Sequence, residues 1–260
     1  MSRMIDMHSH VAWGIDDGMP NKMDAMEAIS QAQQDGIVAI CSTPHFIPGQ
    51  LDQSVYDEIV SRQKELKEMS SLPIYLGGEV MMNSEFIQYL DDGLYPCING
   101  TKYMLVEYNV LKDIHRISYH EDTLYECSVR GYKPVIAHIE RYFHHGLDWD
   151  IIENWQNEGY VLQINRTSLM GMSGSQEQDN AWELLEKGVG HLICTDTHRS
   201  SGRRVECLSD AYQEVEERLG KENADLLFYS NPQAILEGRP VEDLTVVQKK
   251  KKKRFGFFRR

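Results

Sequence analysis

His8 and His10 stand two residues apart in DMHSH, and Asp196 and His198 repeat that spacing in TDTHRSSGR near the other end of the chain. Side chains two apart on an extended strand point to one face, so each pair can present both donors to the same ion. His45 in STPHF, Glu79 in GGEV, Glu107 in LVEY and His138 in IAHIERY add four more nitrogen or oxygen donors. Together these ligands exceed what one tetrahedral ion uses, which implies two or three divalent ions. A mixture of imidazole and carboxylate suits a harder ion, manganese or iron, with zinc, cobalt or magnesium as alternatives. Such ions lower the pKa of a bound water to about 7, so a hydroxide able to attack phosphorus is at hand without a dedicated side-chain base.

Taken singly, a His or Glu at the end of a strand commonly caps a helix, fills a hydrogen-bonded core position or faces solvent. The joint placement carries the metal reading. Phosphoryl transfer also needs positioned cations. Arg141 follows His138 in HIER, and Arg203 follows His198 in THRSSGR; each could instead pair with a neighbouring acid, Glu140 or Glu206. His115 and His120 on an expected helix, His144 and His145 in a polar loop, and His191 at the far end of the last strand are read as structural or solvent-facing. No Cys has an Arg six residues downstream, so the C-x5-R phosphate loop of thiol phosphatases is absent, as are G-x-S-x-G, P-loop and G-x-G-x-x-G motifs.

The elements that must position these ligands are short apolar runs alternating with longer amphipathic stretches, the pattern of repeated βα units. Strands are expected over 3–8, 37–43, 74–78, 103–107, 133–138, 160–164 and 191–195, and nearly every one ends at a potential ligand. In β/α barrels the chemistry collects at the carboxyl ends of the strands. The expected fold is therefore α/β, a distorted TIM-like (β/α)7 barrel one unit short of the usual eight, with the last strand beside the first. Helices are expected over 21–35, closed by Gly36, and over 52–69, 115–130, 149–158, 177–187 and 204–219.

A chain of 260 residues with 41% hydrophobic content can fill one such barrel. Five scattered cysteines without a C-x-x-C pair argue against a disulfide framework and fit a reducing cytoplasm. The start, MSRMIDMHSH, lacks the apolar core of a signal peptide. The net charge is −13, but eight of the 27 Lys and Arg residues fall in the last twelve, so residues 1–248 carry −21. That acidic body disfavours nucleic acid as a partner. Residues 1–248 are read as one catalytic domain and 249–260 as a flexible basic tail. The tail could contact anionic membrane at about 1 kcal/mol per basic residue and hold the protein at the inner face of the membrane.

The segments MIDMHSHVAWGIDDG, STPHF, GGEV, PVIAHIERY and TDTHRSSGR, taken in order over 4–238 and closed by NPQAILEG, resemble the bacterial protein-tyrosine phosphatases of the CpsB/CapC and YwqE type. These are PHP (polymerase and histidinol phosphatase) proteins of capsule and exopolysaccharide operons. The resemblance implies a distorted barrel with a trinuclear centre, usually manganese. It also implies activity on the phosphotyrosine cluster of a membrane-bound tyrosine autokinase. By position it places the metal ligands on His8, His10, His45, Glu79, Glu107, His138, Asp196 and His198, with Asp17 of the DDG loop as an additional candidate, and the phosphate-binding residues on Arg141 and Arg203. Two features depart from it. Arg199 stands where many relatives have Asn, either adding a phosphate contact or reshaping the loop, and the Phe-containing basic tail is unusual. The rival readings are a PHP phosphatase of a small monoester such as histidinol phosphate, a phosphoesterase acting on nucleic-acid ends, and a non-catalytic regulator that binds the kinase.

Overall fold

The computed structural model describes residues 3–90 and 93–245. The tail at 249–260 and the domain boundary at 248 lie outside them. The strands are β1 Met4–Ser9, β2 Ile37–Ser42, β3 His45–Phe46, β4 Ile74–Leu76, β5 Glu79–Met81, β6 Tyr103–Glu107, β7 Lys133–Ile136, β8 Val161–Asn165 and β9 Leu192–Cys194. Between and after them run α1 Lys22–Asp35, α2 Gln53–Met69, α3 Phe86–Tyr89, α4 His120–Val129, α5 Trp149–Asn157, α6 Arg166–Leu169, α7 Ser175–Glu186, α8 Ser209–Leu219, α9 Lys221–Asp225 and α10 Asn231–Leu236.

All named strand pairs are parallel, in the orders β1-β2-β4 and β3-β5-β6-β7-β8-β9. The expected second and third strands, β2 and β4, lie beside β1 with β2 between β1 and β4, and each is followed by a short strand not expected from the sequence, β3 and β5, which pair with each other and, through β5, with β6. Pro44, which cannot donate to a ladder, separates β2 from β3, and Gly77-Gly78 separates β4 from β5. A Cβ on Gly78 would lie 2.4 Å from the Phe46 ring, so only glycine lets the chain step across there. The ring closes where Asp196 N donates to His8 O at 2.8 Å and His10 N donates to Thr197 O at 2.9 Å.

Alternation along the strands sorts the interior. Ile5, Met7, Leu105, Val135, Ala137, Val161, Leu192 and Cys194 form one buried apolar cluster inside the barrel, while intervening residues such as Met104, Val106, Ile136 and Leu162 join the cluster that the helices cover. Following the inward series upward, Leu105 gives way to Glu107, Ala137 to the His138 turn, Val161 to Gln163 and Asn165, and Cys194 to Asp196. The barrel is apolar below and charged at its carboxyl-end mouth. In β1 strict alternation after Ile5 and Met7 would send His8 and His10 away from the interior; a register shift between Asp6 and Ser9 brings them back.

The helices begin where capping side chains stand. Asn21 accepts from Asp24 N at the start of α1, Gly36 closes that helix at φ 97°, and Asp52 caps α2. Two expected helices start late. The one expected from 115 begins at His120, after a 3-10 turn at Ile114–Arg116. The one expected from 204 begins at Ser209, because the cap is tertiary: Asp35 accepts from Leu208 N and Ser209 N at 2.6 and 2.9 Å.

Candidate metal centre

His8, His10, Glu107, His138, Asp196 and His198 leave the carboxyl ends of β1, β6, β7 and β9 or the turns beyond them, while His45 and Glu79 open β3 and β5, just past the ends of β2 and β4. Two of those turns are strained. His138 and Asp196 have φ of 34° and 53°, left-handed values that cost a non-glycine residue about 1–3 kcal/mol unless its surroundings enforce them. Here Gln163 Oε1 accepts from His138 N at 2.9 Å, and Asn165 Nδ2 donates to Asp196 Oδ2 at 2.8 Å.

The side chains converge. Glu79 sits at the middle, with Oε1 3.2 Å from His8 Nε2 and 3.1 Å from His138 Nε2, and Oε2 3.1 Å from His10 Nε2 and 3.2 Å from His45 Nδ1. His45 Nδ1 is also 3.0 Å from Glu107 Oε1. Asp196 Oδ1 approaches His8, His10 and His198 at 3.6, 3.7 and 3.4 Å. Asp17 Oδ1 bridges His45 Nε2 and His198 Nε2 at 3.3 and 3.2 Å, so it joins the group. Three overlapping sets result: His10, Asp17, His45 and His198; His8, His10 and Asp196; and His45, Glu79 and Glu107, the donor atoms of each lying within 4.8 Å of one another.

The tautomers follow from the outer partners. His10 Nδ1 faces Asp16 Oδ2 at 2.8 Å, His8 Nδ1 faces Gln163 Oε1 at 3.1 Å, and His198 Nδ1 faces Asp196 O at 3.0 Å. If each Nδ1 carries the proton, each Nε2 turns a lone pair inward, the arrangement in which imidazole ligates a metal.

Electrostatically the cluster calls for positive charge. Burial opposes protonation of His8, yet Glu79 and Asp196 outweigh it and hold the ring at about 9. Burial likewise opposes charge on His45, but Asp17 and Glu107 lift it to about 12. His138 goes the other way, pushed down to about 4 chiefly by burial. Burial and the neighbouring Glu79 raise Glu107, while hydrogen bonds from His198 and His45 hold Asp17 far below the usual carboxylate range.

These residues fit divalent ions on the structure's own terms. His45 Nδ1, Glu107 Oε1 and His138 Nδ1 are buried without a hydrogen bond among the described residues, and an unsatisfied buried polar atom costs about 1–3 kcal/mol. Cations within the group would satisfy such atoms and relieve the repulsion among Glu79, Glu107 and Asp196. The donors are imidazole and carboxylate throughout, the set that suits borderline and hard divalent ions.

The arginines border the cluster. Arg141 Nη1 lies 3.5 Å from Asp196 Oδ2, and Arg203 Nη1 donates to Met172 O at 3.2 Å. With Arg204, Thr167 and Asp196 they line a cavity of about 290 Å³. The acids expected to compete for them are engaged elsewhere: Glu140 accepts from Ser168 Oγ at 2.6 Å, and Glu206 accepts from Ser9 Oγ. Arg199 shapes the loop, donating Nη1 to the carbonyls of Asp17, Gly18 and His198 at 2.6, 2.8 and 2.6 Å. His115 pairs with Asp113 and Asp148, His144 meets Val110 O, and His191 accepts from Leu162 N; none of them joins the cluster.

Four residues at the site carried little or no local signal. Asp16 is the first acid of the DDG loop. Gln163 and Asn165 stand two apart on β8, the one strand whose expected end had no ligand, and polar residues in an inward series were the available clue. Arg204 Nη2 lies 2.5 Å from Asp196 Oδ1 and 3.1 Å from His198 Nε2, a cation placed against two ligand atoms that only the folded loop brings there.

Comparison with known proteins bears on this geometry. Residues 4–237 match the family model described as capsular polysaccharide synthesis, CpsB/CapC. The tyrosine-protein phosphatase CpsB of Streptococcus agalactiae serotype III is 29% identical over 247 residues, 90% of this chain and 98% of that protein. The tyrosine-protein phosphatase YwqE of Bacillus subtilis is 28% identical over 259 residues, 98% of this chain and 100% of that one. A solved structure from the pair YwqE of Bacillus subtilis and CpsB of Streptococcus pneumoniae, described as metal-dependent tyrosine phosphatases, superposes with a TM-score of 0.78 at 27% identity, over 95% of this chain and 100% of that one.

Proposed function

The chain belongs to the CpsB/CapC family, and from that premise we propose that it is a metal-dependent protein-tyrosine phosphatase that releases phosphate from phosphotyrosine on a protein substrate. The observation that carries this reading is the convergence of imidazoles and carboxylates, several of whose buried donor atoms make no hydrogen bond, beside a cavity lined by arginines.

In this reading His8, His10, His45, Glu79, Glu107, His138, Asp196 and His198, with Asp17, hold two or three divalent ions, manganese before iron, zinc, cobalt or magnesium. When bound, such ions activate water and neutralise phosphoryl oxygens. The chain's own residues do the rest. Gln163 and Asp16 fix the rings of His8 and His10 with Nε2 inward, and Asn165 orients Asp196. Arg141 and Arg203 bind the phosphate oxygens, a planar fork against a tetrahedral anion. Without that local positive charge, a body carrying −21 would repel the substrate.

The cellular reading is a cytoplasmic enzyme acting on a membrane-bound tyrosine autokinase in capsule or exopolysaccharide synthesis. Its catalytic domain is 1–248, and residues 249–260 contact anionic lipid. No helix among the described residues is long and apolar enough to cross a membrane.

The test is elemental analysis of protein purified without added metal, paired with phosphate release from a phosphotyrosyl peptide before and after chelation and manganese add-back. Two or three ions per chain and activity that manganese restores are the expected result. Turnover of histidinol phosphate but not of the peptide would replace the substrate, and absence of both metal and turnover would leave a non-catalytic regulator.

A further inference from the structure

A second cavity, of about 440 Å³, opens onto the cluster at Asp17 and His45. It is built differently from the arginine-lined one. Its wall is Ile15, Ile47, Leu51, Val55 and Ile59, and no Lys or Arg lines it. Ile59 and Leu51 are buried and form the base, whereas Val55 on α2 is 37% exposed and stands at the rim. The two cavities lie at different sectors of the mouth: this one between the loop after β1, the β3 turn and α2, the other among the turns after β7, β8 and β9.

A phosphomonoester has two ends with opposite demands. Its phosphate needs cations and hydrogen-bond donors; the group it esterifies needs a surface that matches its polarity. The cluster and the arginine-lined cavity answer the first demand. An apolar cavity that reaches the same cluster answers the second only for an apolar group, and its volume falls within the range of about 300–1,000 Å³ typical of small-ligand pockets. A seryl or threonyl phosphate puts a bare one- or two-carbon stub there and leaves the isoleucines in water. An aromatic ring covers them. The open rim at Val55 and Gln50 lets the ring enter while still attached to a polypeptide.

We infer that the cavity between the β1 loop, the β3 turn and α2 is the aryl subsite of this enzyme. It seats the ring of phosphotyrosine against Ile15, Ile47 and Val55, with the ester oxygen at the Asp17–His45 edge and the phosphate over the cluster, toward the side of Arg141 and Arg203. The inference rests on the phosphatase reading and adds to it the residues that select an aromatic ester.

The test measures binding apart from turnover. Phenylphosphonate and methylphosphonate are non-hydrolysable and differ only in the ring, so their calorimetric affinities for the manganese-loaded full chain isolate the subsite. Wild-type protein should prefer phenylphosphonate by at least about tenfold, the scale at which apolar pockets discriminate. Val55→Asn and Ile47→Ser should remove that preference, leave methylphosphonate affinity unchanged and raise KM for a phosphotyrosyl peptide more than they lower kcat. Val55 is exposed, so its variant should unfold at the wild-type temperature; that scan excludes a folding defect. Equal affinity for the two phosphonates, or a preference that both variants retain, overturns the subsite even where the peptide is hydrolysed. A ring preference lost in the variants, with no peptide turnover by wild type, supports the subsite and overturns the phosphatase reading.

Discussion

At the amino ends of the strands, Asn231 donates Nδ2 to the carbonyls of His191 and Glu242 at 3.0 and 2.9 Å and accepts from Glu242 N at 2.8 Å, while Asn223 makes the same two-way pair with Thr245 at 2.9 and 3.0 Å. Tyr103 OH closes on Arg239 O at 2.8 Å, so the segment after α10 is laced across the bottom of the barrel. At the carboxyl ends, three buried side-chain atoms, on His45, Glu107 and His138, have no hydrogen bond among the described residues, and two turns hold non-glycine residues at positive φ. The amide ties named at the bottom are complete, whereas the mouth gathers three buried candidate ligand atoms without a hydrogen bond; a positive φ is not confined to the mouth, since Asn99 before β6 has φ 49°. Satisfied buried amides stabilise a fold, whereas unsatisfied donors held in place by strain are an arrangement that a ligand completes.

The strongest way to break this contrast is to remove a donor at the mouth. His138→Ala or Asp196→Ala should lower phosphate release from a phosphotyrosyl peptide by more than about 1,000-fold, the several kcal/mol that metal centres contribute. Circular dichroism of both variants should match wild type. Normal turnover in either would move the site elsewhere. Asn231→Ala should do the converse, costing about 2–3 kcal/mol of stability in a denaturant titration, because three backbone groups lose their partner, while kcat/KM stays at the wild-type value.

Gln163→Leu sharpens the comparison from the mouth. It deprives His8 Nδ1 and His138 N of their acceptor and should weaken manganese affinity by about 10–100-fold, with thermal stability of the manganese-loaded protein falling in step. Unchanged affinity would show that ring orientation is set by something else.

The smallest effect belongs to the bottom. Burial holds His191 below its ordinary 6.5, so the unfolded chain takes up that proton first. Its contribution to stability is complete above about pH 6.5 and is lost as pH falls through that value, by at most about 1.4 kcal/mol per pH unit. Denaturation of metal-free wild type and His191→Gln at pH 7.5 and 5.5 should show the smaller pH dependence in the variant.

Much of the mouth was legible locally. H-x-H and D-x-H show themselves because a strand's period of two is short enough to read in three residues, and the seven apolar runs placed those motifs at strand ends. The short strands β3 and β5 were not legible, since the steps at Pro44 and Gly77-Gly78 act through which neighbour the chain pairs with after them. Nor was the start of α8, capped by a carboxylate from α1. The register shift that turns His8 and His10 inward is likewise a property of β1 against its neighbours.

Residue types and their spacing were enough by themselves to give the barrel class and a candidate ligand set, because these depend on periodicities and donors that each segment carries on its own. Which residues support those ligands was decided only by the tertiary structure. Asp16, Gln163, Asn165 and Arg204 come from three separate segments, and the apolar wall of the second cavity joins α2 to two loops. Such contacts depend on the closure of the ring, in which β1 meets the turn after β9 across most of the chain's length.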